Sequence, residues 1–404
     1  MNPFAPLRDR DFRLFFTGEV LSFIGAGLSL VSLNWYLLDR TDSTTAVAVF
    51  YAVALGAGLV AFPLSGPIAD RYARRAVAIA ADLLRVASIG GLAVLAWFGD
   101  PPLLAIYISA FVTGLGFALF FPAIMGFLQE IVSGEQIVAA SGLIEVTTQT
   151  GNLTGAAFAG VALQELGLAA VLTIDAATYA LSALALFAVR HRSVPAGRYT
   201  PFADLLREGV GYLRANGALA VFGVVSLVPS VATISLNIVA VAYVQDVLGR
   251  GPVVYGITDM MYGAGAMLSG LLAAMVVIRV GERASLVGFM AVVAAGYGVF
   301  ALLPRDLAVV FALSVLLGFC SSGFRVTANS VLLRVVPGAV MGRATAAFGL
   351  CSTVLQVTCA TAIGPLIDHG GVRAGFLTLA VLVATALVAL TTVLPRLHRA
   401  PEPA

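Results

Sequence analysis

The chain has 404 residues, 60% of them hydrophobic and only 11% charged. Soluble domains carry about 25% charged residues, so this composition excludes a water-soluble globular fold and points to a membrane protein. The net charge of +2 argues against a nucleic-acid partner, and the three cysteines (Cys320, Cys351 and Cys359) fall inside apolar stretches as packing residues rather than a disulfide or metal site.

A membrane-spanning helix needs about 20 mostly apolar residues. In chain order the sequence offers twelve such runs: 12–38, 46–68, 76–98, 103–128, 137–163, 169–189, 217–245, 252–278, 285–303, 307–333, 343–367 and 372–394. Arg8, Arg10 and Arg13 flank the start of the first run with no small-residue cleavage pattern, so it reads as a retained span rather than a signal peptide. The breaks are short and polar, as in Asp39-Arg40-Thr41-Asp42 and Pro304-Arg305-Asp306. Residues 190–216 are the exception and hold five arginines. Their second half sets Phe202, Leu205, Leu206, Val210 and Leu213 at helical spacing, which predicts a linker followed by an amphipathic helix on the membrane surface.

All 23 basic residues are Arg, and their placement orients the spans. With the N-terminus inside, seventeen arginines fall on inner segments and four, Arg40, Arg250, Arg305 and Arg373, on outer loops. Positive residues concentrate on the cytoplasmic side, so both termini are expected in the cytoplasm of a bacterial inner-membrane protein.

An offset of about 204 residues aligns Ser32-Leu33-Asn34 with Ser235-Leu236-Asn237, Gly66 with Gly270, Gly114 with Gly318, and Gly160 with Gly364. The shared offset equals six spans plus the linker. It predicts an N-terminal six-helix half (1–189), a cytoplasmic linker (190–216) and a C-terminal six-helix half (217–404). Parallel duplication of this kind builds transporters whose midplane site opens alternately to each side.

Between the second and third runs the chain reads Gly66-Pro67-Ile68-Ala69-Asp70-Arg71-Tyr72-Ala73-Arg74-Arg75. This resembles the signature loop of the major facilitator superfamily, departing from it at Ala73, where that family usually has Gly. The resemblance implies an all-α integral membrane fold of twelve helices in two pseudo-symmetric halves. It also implies a conformational gate made of Gly66, Asp70, Arg71, Arg74 and Arg75, with Glu130 as the acid the arginines reach. The segments Leu128-Gln129-Glu130-Ile131-Val132 and Glu135-Gln136-Ile137-Val138-Ala139-Ala140-Ser141-Gly142-Leu143, with Thr173-Ile174-Asp175-Ala176, are similar to the enterobactin-exporter and macrolide-efflux branch. The run Gly151-Asn152-Leu153-Thr154-Gly155-Ala156-Ala157-Phe158-Ala159-Gly160 resembles that of drug–proton antiporters, with Ala156 where those proteins carry Pro; close helix packing explains the glycine spacing equally well.

An ionisable side chain inside a span is costly and marks a site or a pair. Glu19 stands about 10 Å into the first run at 1.5 Å per residue. Glu145, Asp259 and Arg325 also lie inside runs, as do the neutral polar groups Asn34, Gln149, Asn237 and Gln356. The family resemblance places these eight on cavity-facing spans, where they are candidates for proton coupling and substrate contact. Glu19 has a second reading, a structural pair with Arg85, and Asp82 and Asp175 read as structural. Trp35, Tyr36, Phe120, Phe121, Tyr243 and Tyr262 are candidate contacts for an apolar ligand or interface anchors.

The expectation is a secondary active exporter of amphipathic small molecules (a drug, antibiotic or siderophore), working as a monomer by proton antiport. A proton-coupled importer or lysophospholipid transporter on the same fold is the alternative. No phosphate-binding loop motif is present, and His191, His369 and His398 form no cluster with triad or metal spacing, so neither an enzyme nor a cofactor is expected.

Overall fold

The computed structural model describes residues 5–132, 136–191 and 202–397; within these, a few side chains, including those of Asp70, Glu145 and Gln149, and the surroundings of Gly66 lie outside the description. The described residues are helical throughout: α1 (Arg10–Thr41), α2 (Thr44–Arg71), α3 (Arg74–Phe98), α4 (Leu103–Ile131), α5 (Ile137–Ala188), α6 (Phe202–Ala215), α7 (Gly217–Ala242), α8 (Pro252–Val280), α9 (Glu282–Phe300), α10 (Leu307–Val335) and α11 (Gly338–Leu397). Lipid offers the backbone no hydrogen-bond partner, so long apolar segments satisfy their amides internally as helix. Among the described residues nine helices are long and apolar enough to cross a membrane, or ten if Pro252–Gly270 and Leu272–Val280 are one bent span.

The twelve expected runs exceed nine at three places: α8 enters only as the bent pair, and the two longest helices each cover two runs. Both contain a residue in the left-handed region, Gly167 (φ 79°) in α5 and Gly371 (φ 74°) in α11. Only glycine takes that conformation without a Cβ penalty, and each falls in a gap expected between two runs. Elsewhere the expected runs and the helices agree to within a few residues at most ends.

The chain divides into two compact units. Unit 1 comprises Met1–Thr41, Phe50–Pro201 and Arg250–Met260, so it takes the first part of α8. Within it α1 lies along α5, and α3 packs on α4 and α5. Phe12, Phe15, Phe120, Ile124, Phe127 and Leu186 form the centre of its apolar core. The glycine run of α5 makes the α1 contact possible: a Cβ on Gly155 would sit 2.5 Å from the Ile24 carbonyl oxygen. Close packing is therefore one structural role of that run.

Unit 2 comprises Asp42–Val49, Phe202–Gly249 and Met261–Ala404, and takes the first part of α2. Here α7 and α9 pack on α11, and α9 also packs on α10. Tyr243, Phe300 and Phe376 interlock: the two Phe rings stack at 5.0 Å, with Tyr243 edge-on at 5.7 and 5.4 Å. The predicted amphipathic segment is helical as α6 and rests on the start of α11, where Glu208 Oε2 is 2.9 Å from Arg343 Nε.

Repeat-related glycines make matching contacts. In unit 1 a Cβ on Gly160 would strike the backbone of Pro252 and Val253; in unit 2 one on Gly364 would meet Ala48 Cβ at 2.5 Å and Thr45 Cα at 2.8 Å. The offsets agree, since 364 − 160 = 204 and 252 − 48 = 204. Likewise Gly114 on α4 abuts the Ala54 carbonyl of α2, and Gly318 on α10 abuts the Tyr262 carbonyl of α8. Gly270, aligned with Gly66, has nothing within 4 Å of its built Cβ.

Candidate functional site

Unit 1 buries a charged cluster at the junction of α1, α3, α4 and α5. Glu19 of α1, Asp82 and Arg85 of α3 and Asp175 of α5 are all 3% exposed or less. Arg85 donates through Nη2 to Asp82 Oδ1, one turn away on the same helix. Its guanidinium carbon lies 4.3 Å from the Phe120 ring centre and 4.4 Å from that of Tyr179, a cation–π arrangement that partly replaces lost water. Both carboxylate oxygens of Glu19 lack a hydrogen-bond partner, as do Asp82 Oδ2 and Asp175 Oδ1. The ion partner of Arg85 is thus Asp82; the second reading of Glu19, a pair with Arg85, has no direct ion pair behind it among the described residues, although the Arg85 charge acts on Glu19. Small residues bring the groups this close. A Cβ on Gly25 of α1 would come within 2.6 Å of Asp175 Oδ1, and one on Gly116 of α4 within 2.8 Å of Arg85 Cγ.

Toward the C-terminal end of α1, Asn34 is buried and donates through Nδ2 to the Tyr51 hydroxyl (2.7 Å) and the Tyr255 hydroxyl (3.3 Å). Trp35 sits beside Tyr255, with ring centres 6.2 Å apart. Asp259, one turn beyond Tyr255 on α8, belongs to the same unit and is half-buried. Asn34, Tyr51, Tyr255 and Asp259 therefore form a second polar group in unit 1. Tyr51 and Tyr255 carry no charge and follow no linear motif, which is why the sequence did not single them out.

The arginine loop acts on helix ends. Arg74 Nη1 donates to the Gly126 carbonyl at 2.8 Å and lies 3.4 Å from Glu130 Oε1. Arg75 donates to the carbonyls of Leu186, Phe187 and His191 at the end of α5. Cations at a helix C-terminus satisfy unpaired carbonyls and complement the dipole. Arg71 is exposed, its guanidinium 5.8 Å from the Tyr72 ring centre. Gly66 and Asp70 lie on α2, with the surroundings of Gly66 and the side chain of Asp70 outside the description.

The unit 2 candidates do not assemble into a comparable cluster. Asn237 and Gln356 are half-buried, the latter donating to Ser352 Oγ at 3.0 Å, while Arg325 is exposed and in no ion pair among the described residues. Glu145 and Gln149 lie outside the described side chains. Of the candidate aromatics, Phe120 and Tyr243 are core residues, Tyr262 meets Thr233 at 2.7 Å, and Tyr36 donates to Asp100 at 3.0 Å. A polar contact the sequence analysis missed is Asp368 of α11. It accepts from Thr44 N (2.7 Å), Thr45 N (3.1 Å), Ser43 Oγ (2.7 Å) and Thr45 Oγ1 (2.6 Å), capping the start of α2 from 323 to 325 residues away.

The profile of the transmembrane secretion effector family matches residues 1–403. This chain belongs to that family of major facilitator superfamily transporters. It is similar to the multidrug efflux pump Tap of Mycobacterium tuberculosis, 25% identical over 92% of this chain and 90% of Tap. It is also similar to the enterobactin exporter EntS of Salmonella typhimurium, 27% identical over 82% of this chain and 80% of EntS. Among solved structures, the nucleoside transporter NupG superimposes with a TM-score of 0.78 at 15% identity, over 95% of this chain and 98% of NupG. At that identity the likeness speaks to the fold alone. The resemblance read from the Gly66–Arg75 loop is the family the whole chain matches.

Proposed function

We propose that the chain exports amphipathic small molecules across the bacterial inner membrane by proton antiport and alternating access. The observation that carries the export reading is the alignment, over most of the chain, with proteins named as an efflux pump and an exporter. Proton coupling is supported by the buried carboxylates of unit 1, since no nucleotide-binding motif offers another energy source.

In this reading the chain spans the membrane twelve times. A 52-residue α5 and a 60-residue α11 would extend about 80 and 90 Å as single helices, far beyond a hydrocarbon core of about 30 Å. With bent α8 taken as one span, splitting each long helix at its left-handed glycine gives twelve, and the glycine contacts of Gly160 and Gly364 at one offset support two six-helix halves. The arginine distribution supports a cytoplasmic location for both termini. The Arg74–Glu130 pair and the Arg75 contacts then lie at the cytoplasmic face, where breaking them accompanies opening on that side.

Transport in inverted membrane vesicles with an imposed proton gradient tests this directly. Accumulation of a lipophilic cationic dye that collapses with a protonophore is the expected result. Accumulation in intact cells expressing the protein, with none in inverted vesicles, would overturn export in favour of import; lysophospholipid movement with no effect on dyes would overturn the substrate class.

A further inference from the structure

We infer that Glu19, Asp82 and Asp175 form a single proton-binding site organised on Arg85, able to hold two protons and contained wholly within unit 1. The inference deepens the antiport reading and rests on it for its role in transport, but not for the existence of the site. Three fully buried carboxylates interact with one buried guanidinium: Asp82 in a direct ion pair, Glu19 and Asp175 through its electrostatic field. One guanidinium balances one carboxylate, which leaves two negative charges in a lipid-embedded interior. Uncompensated buried charge is strongly unfavourable, so a closed cluster reaches neutrality by taking up two protons.

The geometry shows where those protons sit. Arg85 is committed to Asp82 through Nη2, while both oxygens of Glu19 and Oδ1 of Asp175 have no partner. The titratable and charged groups facing the cluster are Glu19 from α1, Asp82 and Arg85 from α3, and Asp175 and Tyr179 from α5, with α4 presenting the uncharged ring of Phe120; the hydroxyls of Ser29 and Thr178 lie toward Asp175 and that of Ser182 toward Asp82. Among the described residues no three acidic, histidine or cysteine side chains converge closely enough to hold a metal ion. A proton, which needs only one oxygen, is the ligand that fits. Because all three acids share one cation, neutralising any one of them frees part of the Arg85 charge for the others. The site therefore behaves as a unit, and Asp82 and Asp175 belong to it as fully as Glu19.

Infrared difference spectra of the purified protein, cycled between acid and alkaline pH, read the protonated carboxyl stretch without requiring transport. At least two pH-dependent bands are expected, one absent in Glu19→Gln and another absent in Asp175→Asn. The titration midpoint of the surviving band is expected to move in each single variant and in Asp82→Asn. Bands that all persist in the three variants, or a surviving band whose midpoint stays fixed, would overturn the inference. If a variant does not fold, the wild type still decides, because the absence of any protonated carboxyl band overturns it alone. Vesicle assays separate this from the proposed function. Wild-type bands without proton-coupled efflux would sink antiport and keep the site, whereas coupled efflux untouched in all three variants would place the transported proton elsewhere and overturn the shared role.

Discussion

Unit 1 buries Glu19, Asp82, Arg85 and Asp175, whereas no carboxylate or guanidinium is fully buried in unit 2 among the described residues. Apart from tyrosine and cysteine, the buried polar side chains of unit 2 are serine and threonine hydroxyls. Ser285, Ser314 and Thr327 each return their hydroxyl to a carbonyl four residues back, at 2.8, 2.9 and 2.7 Å. Such groups are satisfied within one turn and ask nothing of neighbouring helices. A carboxylate cannot be satisfied in that way, so the unit 1 interior depends on side chains from three helices at once. The glycine contacts of the two units match, yet their interiors do not. Both interiors contain packed aromatic rings, and among the described residues only that of unit 1 also holds buried charge.

The largest effect that could break this contrast is at Arg85. Arg85→Leu leaves three buried acids without a cation and is expected to cost ~3–5 kcal/mol, read as a lower midpoint of thermal unfolding in detergent. Adding Asp82→Asn should recover part of the loss, and Arg325→Leu at the exposed unit 2 position should change stability by less than ~0.5 kcal/mol. Equal stability of Arg85→Leu and wild type would mean that charge does not hold unit 1 together.

Next in size is Phe376→Ala, which removes a ring from the Tyr243–Phe300–Phe376 cluster and should cost ~3 kcal/mol through the cavity left behind. No titrating group is involved, so the loss should be the same at acid and neutral pH. A pH-dependent loss, measured by the same unfolding assay, would show that unit 2 also stores protons.

Gly160→Val and Gly364→Val press a branched side chain against the starts of α8 and α2 respectively. Overpacking of this kind costs ~1–3 kcal/mol, and repeat-related contacts predict similar losses for the two. Strongly unequal losses would show that the shared offset does not carry equivalent packing. The smallest expected effect is that of Asp368→Ala. Losing a helix N-cap costs about 1 kcal/mol, and faster hydrogen exchange at the amides of Thr44 and Thr45 is the local readout.

Helix positions were legible because each apolar run reports its own environment, and the interruptions at Gly167 and Gly371 fall where polar or glycine-bearing breaks separated the runs. The cluster was only partly legible. Glu19 stood out as a charge in an apolar run with Arg85 as a candidate partner, and Asp82 read as a structural acid. Asp175 seemed to belong to a separate, structural position, because no linear spacing connects α5 to α1. Asp368 and the Tyr51–Asn34–Tyr255 contacts escaped for the same reason: a long-range cap or an uncharged hydroxyl carries no local signature.

By itself the sequence determined that the chain is a helical membrane protein with a duplicated pattern and the loop of a transporter family, since hydropathy, arginine placement and repeat spacing are properties of a line of residues. Only the tertiary structure decided that Arg85 belongs to Asp82, that Asp175 joins Glu19, and that Arg74 is the loop arginine that meets Glu130. Partnership between charges depends on which helix faces which, and close approach at glycines such as Gly25 and Gly116 sets that in three dimensions.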